Sequence, residues 1–159
     1  MLYLDESGLN SNETNNYAYS ARGTRAHAKK FGKKGKRTSI IGTINHNNKL
    51  VASGVFSGGC NKEVINSYVE NILLPALKPG QVVVLDNAAF HKASKVVTLL
   101  ESKKCKVLYL PPYSPDLNPI EHLWSPIKFR IRKSYNNLGI DIDKAINMSL
   151  RRYSQPLRN

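Results

Sequence analysis

Residues 81–86 read QVVVLD, an apolar, valine-rich run that ends abruptly on a carboxylate. A strand with no polar alternation has no face to give to water, so it belongs in the interior of a sheet covered on both sides, the habit of parallel strands. Pro79 and Gly80 stop whatever precedes it. Asp86 marks the point where the buried strand emerges, and in α/β sheets that carboxyl end is where neighbouring strands deliver side chains to one crevice.

A second strand of the same kind opens the chain: Leu2 to Asp5 is apolar and also runs into a carboxylate, after which Gly8 and a polar stretch through Asn16 read as loop. Thr38–Asn45 and Leu50–Phe56 are β-branched runs separated by His46, Asn47, Asn48 and Lys49, a hairpin signature. Asn61 is placed to cap a helix whose apolar positions Val64, Ile65, Tyr68, Val69, Ile72 and Leu73 form one stripe. Beyond Asp86, Lys92–Ser102 predicts a second helix, Lys106–Leu110 a fifth strand, Pro111–Asn118 a proline-stiffened loop, and two helices complete the chain. The order β-β-β-α-β-α-β-α-α implies an α/β fold with a mixed five-stranded sheet: an antiparallel meander, then right-handed crossovers that make the later strands parallel to the first, with helices on both faces. At 159 residues, without repeats or a composition break, residues 1–159 are expected to form a single domain.

Twenty-four Lys and Arg against eleven Asp and Glu leave a formal charge of +13. Such a field attracts polyanions, with nucleic acid ahead of anionic lipid or a ribosomal surface. Six of the cations, Lys29, Lys30, Lys33, Lys34, Lys36 and Arg37, crowd into the segment HAKKFGKKGKR with two glycines, a composition no buried element holds. Cys60 and Cys105 lie far apart with no CxxC pairing, which argues against a zinc site or disulfide framework and for free thiols in a reducing cytoplasm. The apolar runs are strand-sized and none predicts a membrane span.

Asp5 and Asp86 are expected to converge if their strands are adjacent, although Asp also ends strands simply because it favours turns. A third acid, Glu121, lies in NPIEHLWSPIKFRIRK, where Asn118 reads as N-cap, Pro119 as the first helical residue, and Ile120, Leu123, Trp124, Ile127 and Ile131 as the buried stripe. Glu121 stands one step off that stripe, at the position from which a glutamate closes a capping box on the Asn118 N–H. Pro126 should bend this helix at a cost of ~3 kcal/mol. Glu6, next to Asp5, is expected to point to the opposite face of its strand and to stay outside the acidic site, and His122 to pack or face solvent.

The segments LDESG (Leu4–Gly8), LDNAAFH (Leu85–His91) and LPPYSPDLNPIEHLWSPIK (Leu110–Lys128), with 34 residues between Asp86 and Glu121, resemble the DDE-superfamily transposases of bacterial insertion sequences, in the branch related to mariner elements. The resemblance implies a ribonuclease H-like fold in which Asp5, Asp86 and Glu121 are both the catalytic residues and the ligands of two Mg²⁺ or Mn²⁺ ions. In two-metal sites such ions lie roughly 3.5–4 Å apart and serve the attacking and leaving oxygens of an in-line displacement. Water would be the first nucleophile and a freed 3′-hydroxyl, attacking target DNA, the second.

By the same resemblance Asn87 and His91 would position the scissile phosphate or a metal-bound water, and a cap or a surface place explains His91 equally well. The basic segment, with Lys128, Arg130, Arg132 and Lys133, would track DNA phosphates. Tyr17, Tyr19 and Arg22-Gly23 fall where the family contacts transposon ends, and strand-edge packing explains them equally well.

The expected partners are transposon ends and target DNA, a homodimer in the DNA complex, and the helix-turn-helix polypeptide of a split element, in a bacterial cytoplasm beside the nucleoid. Full-length members carry a helix-turn-helix region ahead of the first catalytic strand, and this chain starts at that strand, so terminal-repeat recognition is expected to be absent. It then reads as the second frame of a split element or a remnant that keeps its acids. The rivals are a silent fragment that binds DNA by charge or inhibits a full-length transposase, and a ribonuclease H or junction resolvase, which has no reason to carry PPYSPDLNPIEHLW.

Overall fold

The computed structural model describes residues 1–11, 19–25, 27, 35–88 and 95–154, without the side chains of 136–138. Five strands, β1 (Leu2–Asn10), β2 (Arg37–Asn45), β3 (Leu50–Ser57), β4 (Val82–Leu85) and β5 (Lys106–Tyr109), form one sheet in the order β3-β2-β1-β4-β5. The β1/β2 and β2/β3 pairs are antiparallel, while β1/β4 and β4/β5 are parallel. The valine-rich strand lies inside the sheet, with Val83, Val84 and Leu85 buried.

β1 is longer than its apolar residues suggest. Gly8, Leu9 and Asn10 continue the strand because Ser39, Thr38 and Arg37 pair with them across β2, and Leu9 is buried on the sheet. The β2–β3 turn is held by the Asn45 carboxamide, whose Oδ1 accepts from the N–H groups of Asn47 and Lys49, with Asn48 in the left-handed region at φ 56°.

Helix α1 (Lys62–Tyr68) begins as expected at Asn61, whose Oδ1 accepts from the Val64 N–H at 2.9 Å. It continues through a π-turn (Val69–Leu73), in which the Leu74 N–H reaches back to the Val69 carbonyl, and a last turn (Leu74–Ala76) containing Pro75, which has no N–H to give. Helix α2 is described over Val96–Ser102; the expected turn at 92–94 falls outside the described residues. Helix α3 (Pro119–Leu138) is one element across Pro126 and ends at Gly139, φ 61°. Helix α4 spans Ile142–Ser154.

Strand alternation sorts the core into two layers. Leu2, Leu4, Ile41 and Leu85 pack on one face with Ile65, Tyr68 and Leu73 of the first helical run and Leu100 of α2. Leu9, Ile40 and Ile44 pack on the other with Ile120, Trp124, Ile127 and Ile131 of α3 and Ile146 and Leu150 of α4. Helices therefore cover both faces, as the order of elements predicts. Both cysteines are free thiols, Cys105 buried and Cys60 half-buried. No helix among the described residues is long and apolar enough to cross a membrane.

Candidate active site

Parallel pairing brings the first two acids together. Leu2 lies beside Val83 and Tyr3 beside Val84, and that register, continued past the end of β4, sets Asp5 level with Asp86. Asp5 is 6% exposed, on the face covered by α3. There the Trp124 indole Nε1 donates to Asp5 Oδ2 at 2.8 Å. Room for the indole comes from Gly42, the cross-strand partner of Asp5: a Cβ at Gly42 would lie 3.0 Å from the Trp124 ring. Burial pushes the Asp5 carboxyl up from its ordinary 3.8 to about 6; the Trp124 bond opposes this, and the charges of Glu121 and Asp86 add to it.

Asp86 is anchored by its own turn, its Oδ1 accepting from the Ala88 N–H at 3.0 Å. Past it opens a cavity of about 500 Å³, lined by Asp5, Asp86, Asn87, Asn118 and Glu121 and walled by the loop Leu110–Pro115. Prolines 111, 112 and 115 stiffen that wall. Tyr113 stands on it fully exposed at φ 56°, a left-handed conformation that a tyrosine rarely adopts.

Glu121 reaches the cavity from the first turn of α3. The capping box open to it is not formed. The Asn118 N–H donates to the Pro115 carbonyl at 2.8 Å, the Glu121 N–H donates to the Asn118 carbonyl at 3.1 Å, and the Asn118 side chain caps nothing. With the helix end closed by backbone, the exposed Glu121 carboxylate is left to the cavity.

Glu6, which strand alternation would keep out of the site, belongs nearer to it. Carboxylate oxygens of Asp5, Glu6 and Asp86 all lie within 4.8 Å of one another. Alternation holds in part, since Glu6 is close enough to the half-buried Cys60 to help burial raise that thiol to about 11, whereas Asp5 faces Trp124. β4 ends at Leu85, however, so no further strand residue separates the two faces beside Asp86, and the longer Glu6 side chain carries its carboxylate there. Glu121 lines the same cavity but is outside this 4.8 Å group. Every candidate donor is oxygen, the set that hard cations such as Mg²⁺ and Mn²⁺ prefer and zinc or copper sites rarely use alone. The half-buried Asn87 and the buried Asn118 add carboxamide oxygens that are fully buried and lack a hydrogen-bond partner among the described residues, as walls built around an occupant would.

Of the remaining candidates, His91, Lys29, Lys30, Lys33, Lys34 and Tyr17 fall outside the described residues. Tyr19, Arg22 and Gly23 are exposed. Lys36 and Arg37 are exposed at the start of β2, where Arg37 pairs with Asn10; at a strand rise of ~3.3 Å per residue that point is roughly 16 Å along β1 from Asp5. Lys128, Arg130 and Arg132 are half-buried on α3, and Lys133 is exposed. Helical periodicity sets Lys128 and Arg132 about two and three turns beyond Glu121 on its own flank, and Arg130 on the other.

A mixed five-stranded sheet with one acid within β1, a second level with it just past the end of the adjacent parallel strand β4, and a third from the helix packed across them, defines a ribonuclease H-like core. Residues 1–139 match the model of the DDE superfamily endonucleases, and the chain belongs to that family. It is 30% identical over 79 residues to the transposable element Tcb1 transposase of Caenorhabditis briggsae, a match covering 47% of this chain and 29% of that one. Among solved structures it superposes on the Mos1 mariner paired-end complex with Mn at a TM-score of 0.66 and 19% identity, covering 96% of this chain and 53% of that one. On the catalytic core domain of BIV integrase the TM-score is 0.55 at 14% identity, covering 94% and 79%. The chain thus spans about half the length of the Mos1 protein and less than a third of the Tcb1 transposase.

Proposed function

We propose that this chain is the catalytic core of a DNA transposase, hydrolysing phosphodiesters at the ends of a mobile element and joining the freed 3′-hydroxyls to target DNA. One observation carries the reading: Asp5, Asp86 and Glu121, from three separate elements, line one cavity where the carboxyl end of β4 meets the parallel strand β1, in a member of the DDE endonuclease family.

Asp5, Asp86 and Glu121 would hold the divalent cations, two by analogy with other phosphodiester-cleaving sites, and these would stabilise the charge on attacking and leaving oxygens. The chain's own residues supply orientation. The Trp124 N–H and the Ala88 N–H fix the Asp5 and Asp86 carboxylates, and both acids extend from paired strands, the more rigid kind of support. Glu121 makes no hydrogen bond through its side chain among the described residues, so it is free to turn toward whatever enters. Asn87 lines the cavity beside Asp86, with a carboxamide able to hold a phosphate oxygen. His91 would assist it. The Pro111–Pro115 wall limits access on one side. Lys29, Lys30, Lys33, Lys34, Lys36, Arg37, Lys128, Arg130 and Arg132 would bind DNA backbone, in keeping with the charge of +13. Transposon ends and target DNA are the proposed partners, with a second copy of the chain and a separate end-recognising polypeptide in the complex, inside a bacterial cell.

Relaxation of supercoiled plasmid in Mn²⁺ tests the proposal. The protein should nick weakly and without sequence preference, and Asp86→Asn should abolish nicking; an Asn variant that nicks as fast as the parent at equal purity removes the assigned site.

A further inference from the structure

Asn118 and Asn61 both stand one residue before a helix, and only one of them behaves as a cap. Asn61 is exposed and its Oδ1 accepts from the Val64 N–H at 2.9 Å, the ordinary use of asparagine at that position. Asn118 is 3% exposed, makes no side-chain cap bond, and its Oδ1 is fully buried without a partner among the described residues. The N–H it could have capped, that of Glu121, goes instead to the Asn118 backbone carbonyl. An amide oxygen taken from water and given nothing in return is destabilising, and structures retain such groups where a ligand completes them. This one lines the cavity that also holds Asp5, Asp86 and Glu121.

The surroundings select the ligand. With carboxylates on the same cavity, an amide oxygen is repelled by its neighbours until positive charge arrives. Mg²⁺ and Mn²⁺ take about six oxygen ligands, more than three carboxylates supply one at a time, and a neutral carboxamide adds a ligand without adding charge. We propose that Asn118 is a further oxygen donor of the acidic cavity, ligating a divalent cation through Oδ1, and that its place before α3 serves the cavity and not the helix. The inference rests on the reading of Asp5, Asp86 and Glu121 as a cation site.

Mn²⁺ binding by the whole chain, followed by the electron paramagnetic resonance signal of free Mn²⁺, and melting in EDTA together test it. Asn118→Ala and Asn118→Ser should melt in EDTA no lower than the parent, because no cap is lost, and should bind Mn²⁺ about tenfold or more weakly, the scale of metal-site losses. Asn118→Asp, which keeps the oxygen, should bind as tightly as the parent or more tightly. Should Ala misfold, Ser decides, since its hydroxyl is a good N-cap and too short to replace Oδ1. Ser binding Mn²⁺ like the parent, or Asp failing to restore what Ser loses, overturns the inference. Asp86→Asn separates the layers: if it binds Mn²⁺ as well as the parent, the cation site itself is wrong, and if it loses Mn²⁺ while Asn118→Ala and Asn118→Ser do not, only the role of Asn118 falls.

Discussion

Asp5→Asn should stabilise the metal-free protein at neutral pH, although it removes a residue central to the proposed chemistry. Asp5 is 6% exposed and the pKa of its carboxyl is pushed up from 3.8 to about 6, chiefly by burial. The unfolded chain therefore gives up this proton near its ordinary value while the folded chain holds it until about pH 6. Between those limits the folded state binds more protons, so stability falls as pH rises, and above about pH 6 the full penalty is present. At about 1.4 kcal/mol per pH unit, the gap between 3.8 and about 6 corresponds to ~3 kcal/mol at neutral pH, an upper estimate because denatured chains are not fully solvated. Asparagine retains an oxygen to accept from Trp124 Nε1, now at 2.8 Å, and carries no charge to bury. Urea unfolding in EDTA at about pH 7 should then give the variant ~1–3 kcal/mol more stability than the parent, with the difference vanishing near pH 4. Mn²⁺ should reverse the order, since a ligand at a hundredfold excess over its dissociation constant adds about 2.7 kcal/mol to the chain that binds it. A variant less stable than the parent in EDTA at pH 7, or a difference that does not change with pH, would refute the claim that Asp5 is held as a strained buried charge.

Trp124 is the chain's single tryptophan and donates to Asp5, so its fluorescence in EDTA should titrate with a midpoint near the Asp5 value of about 6 and at lower pH in Mn²⁺; a flat profile from about pH 5 to 7 would disconnect the indole from that proton. Gly42→Ala sets a methyl group 3.0 Å from the Trp124 ring and should cost ~1–3 kcal/mol by overpacking, a loss that chemical denaturation would reveal and that an unchanged midpoint would deny. Asn61→Ala should lose ~1 kcal/mol, since its cap bond is formed. Replacing Lys33, Lys34 and Lys36 by Ala should flatten the plot of log K against log salt for duplex DNA by about 0.9 for each phosphate that is no longer neutralised; an unaltered slope would make that segment a solvated surface.

What is legible in the sequence is set by local rules. QVVVLD reads only as an interior strand, and the β-branched pair around His46–Lys49 only as a hairpin, because period and turn chemistry are written in adjacent residues. Local pattern ends β1 at Asp5 because Gly8–Asn10 have no strand pattern of their own and become strand through partners 27 or more residues away, Arg37 to Ser39. Alternation excludes Glu6 by a rule about where Cβ points; its carboxylate lies several bonds further on, within 4.8 Å of those of Asp5 and Asp86. The Trp124–Asp5 bond, spanning 119 residues, has no local signature, although a lone tryptophan in a helical stripe just past an acid is its trace.

Asn118 and Glu121 fit a capping pair so well in sequence that only the backbone tells what they do. The first N–H groups of a helix need acceptors, and side chains usually provide them. In α3 the demand is already reduced: Pro119 has no N–H, the short turn Pro115–Leu117 gives the Asn118 N–H an acceptor in the Pro115 carbonyl, and the Asn118 carbonyl takes the Glu121 N–H. The PPYSPDLNP segment is therefore a backbone substitute for a side-chain cap, and two side chains at the start of the helix are released toward the cavity. The helix dipole, positive at this end, also lowers the cost of bringing Glu121 close to Asp5, whose proton its charge already helps to retain. A cap and a cation site compete for the same two residue types, and the prolines decide the competition in favour of the site.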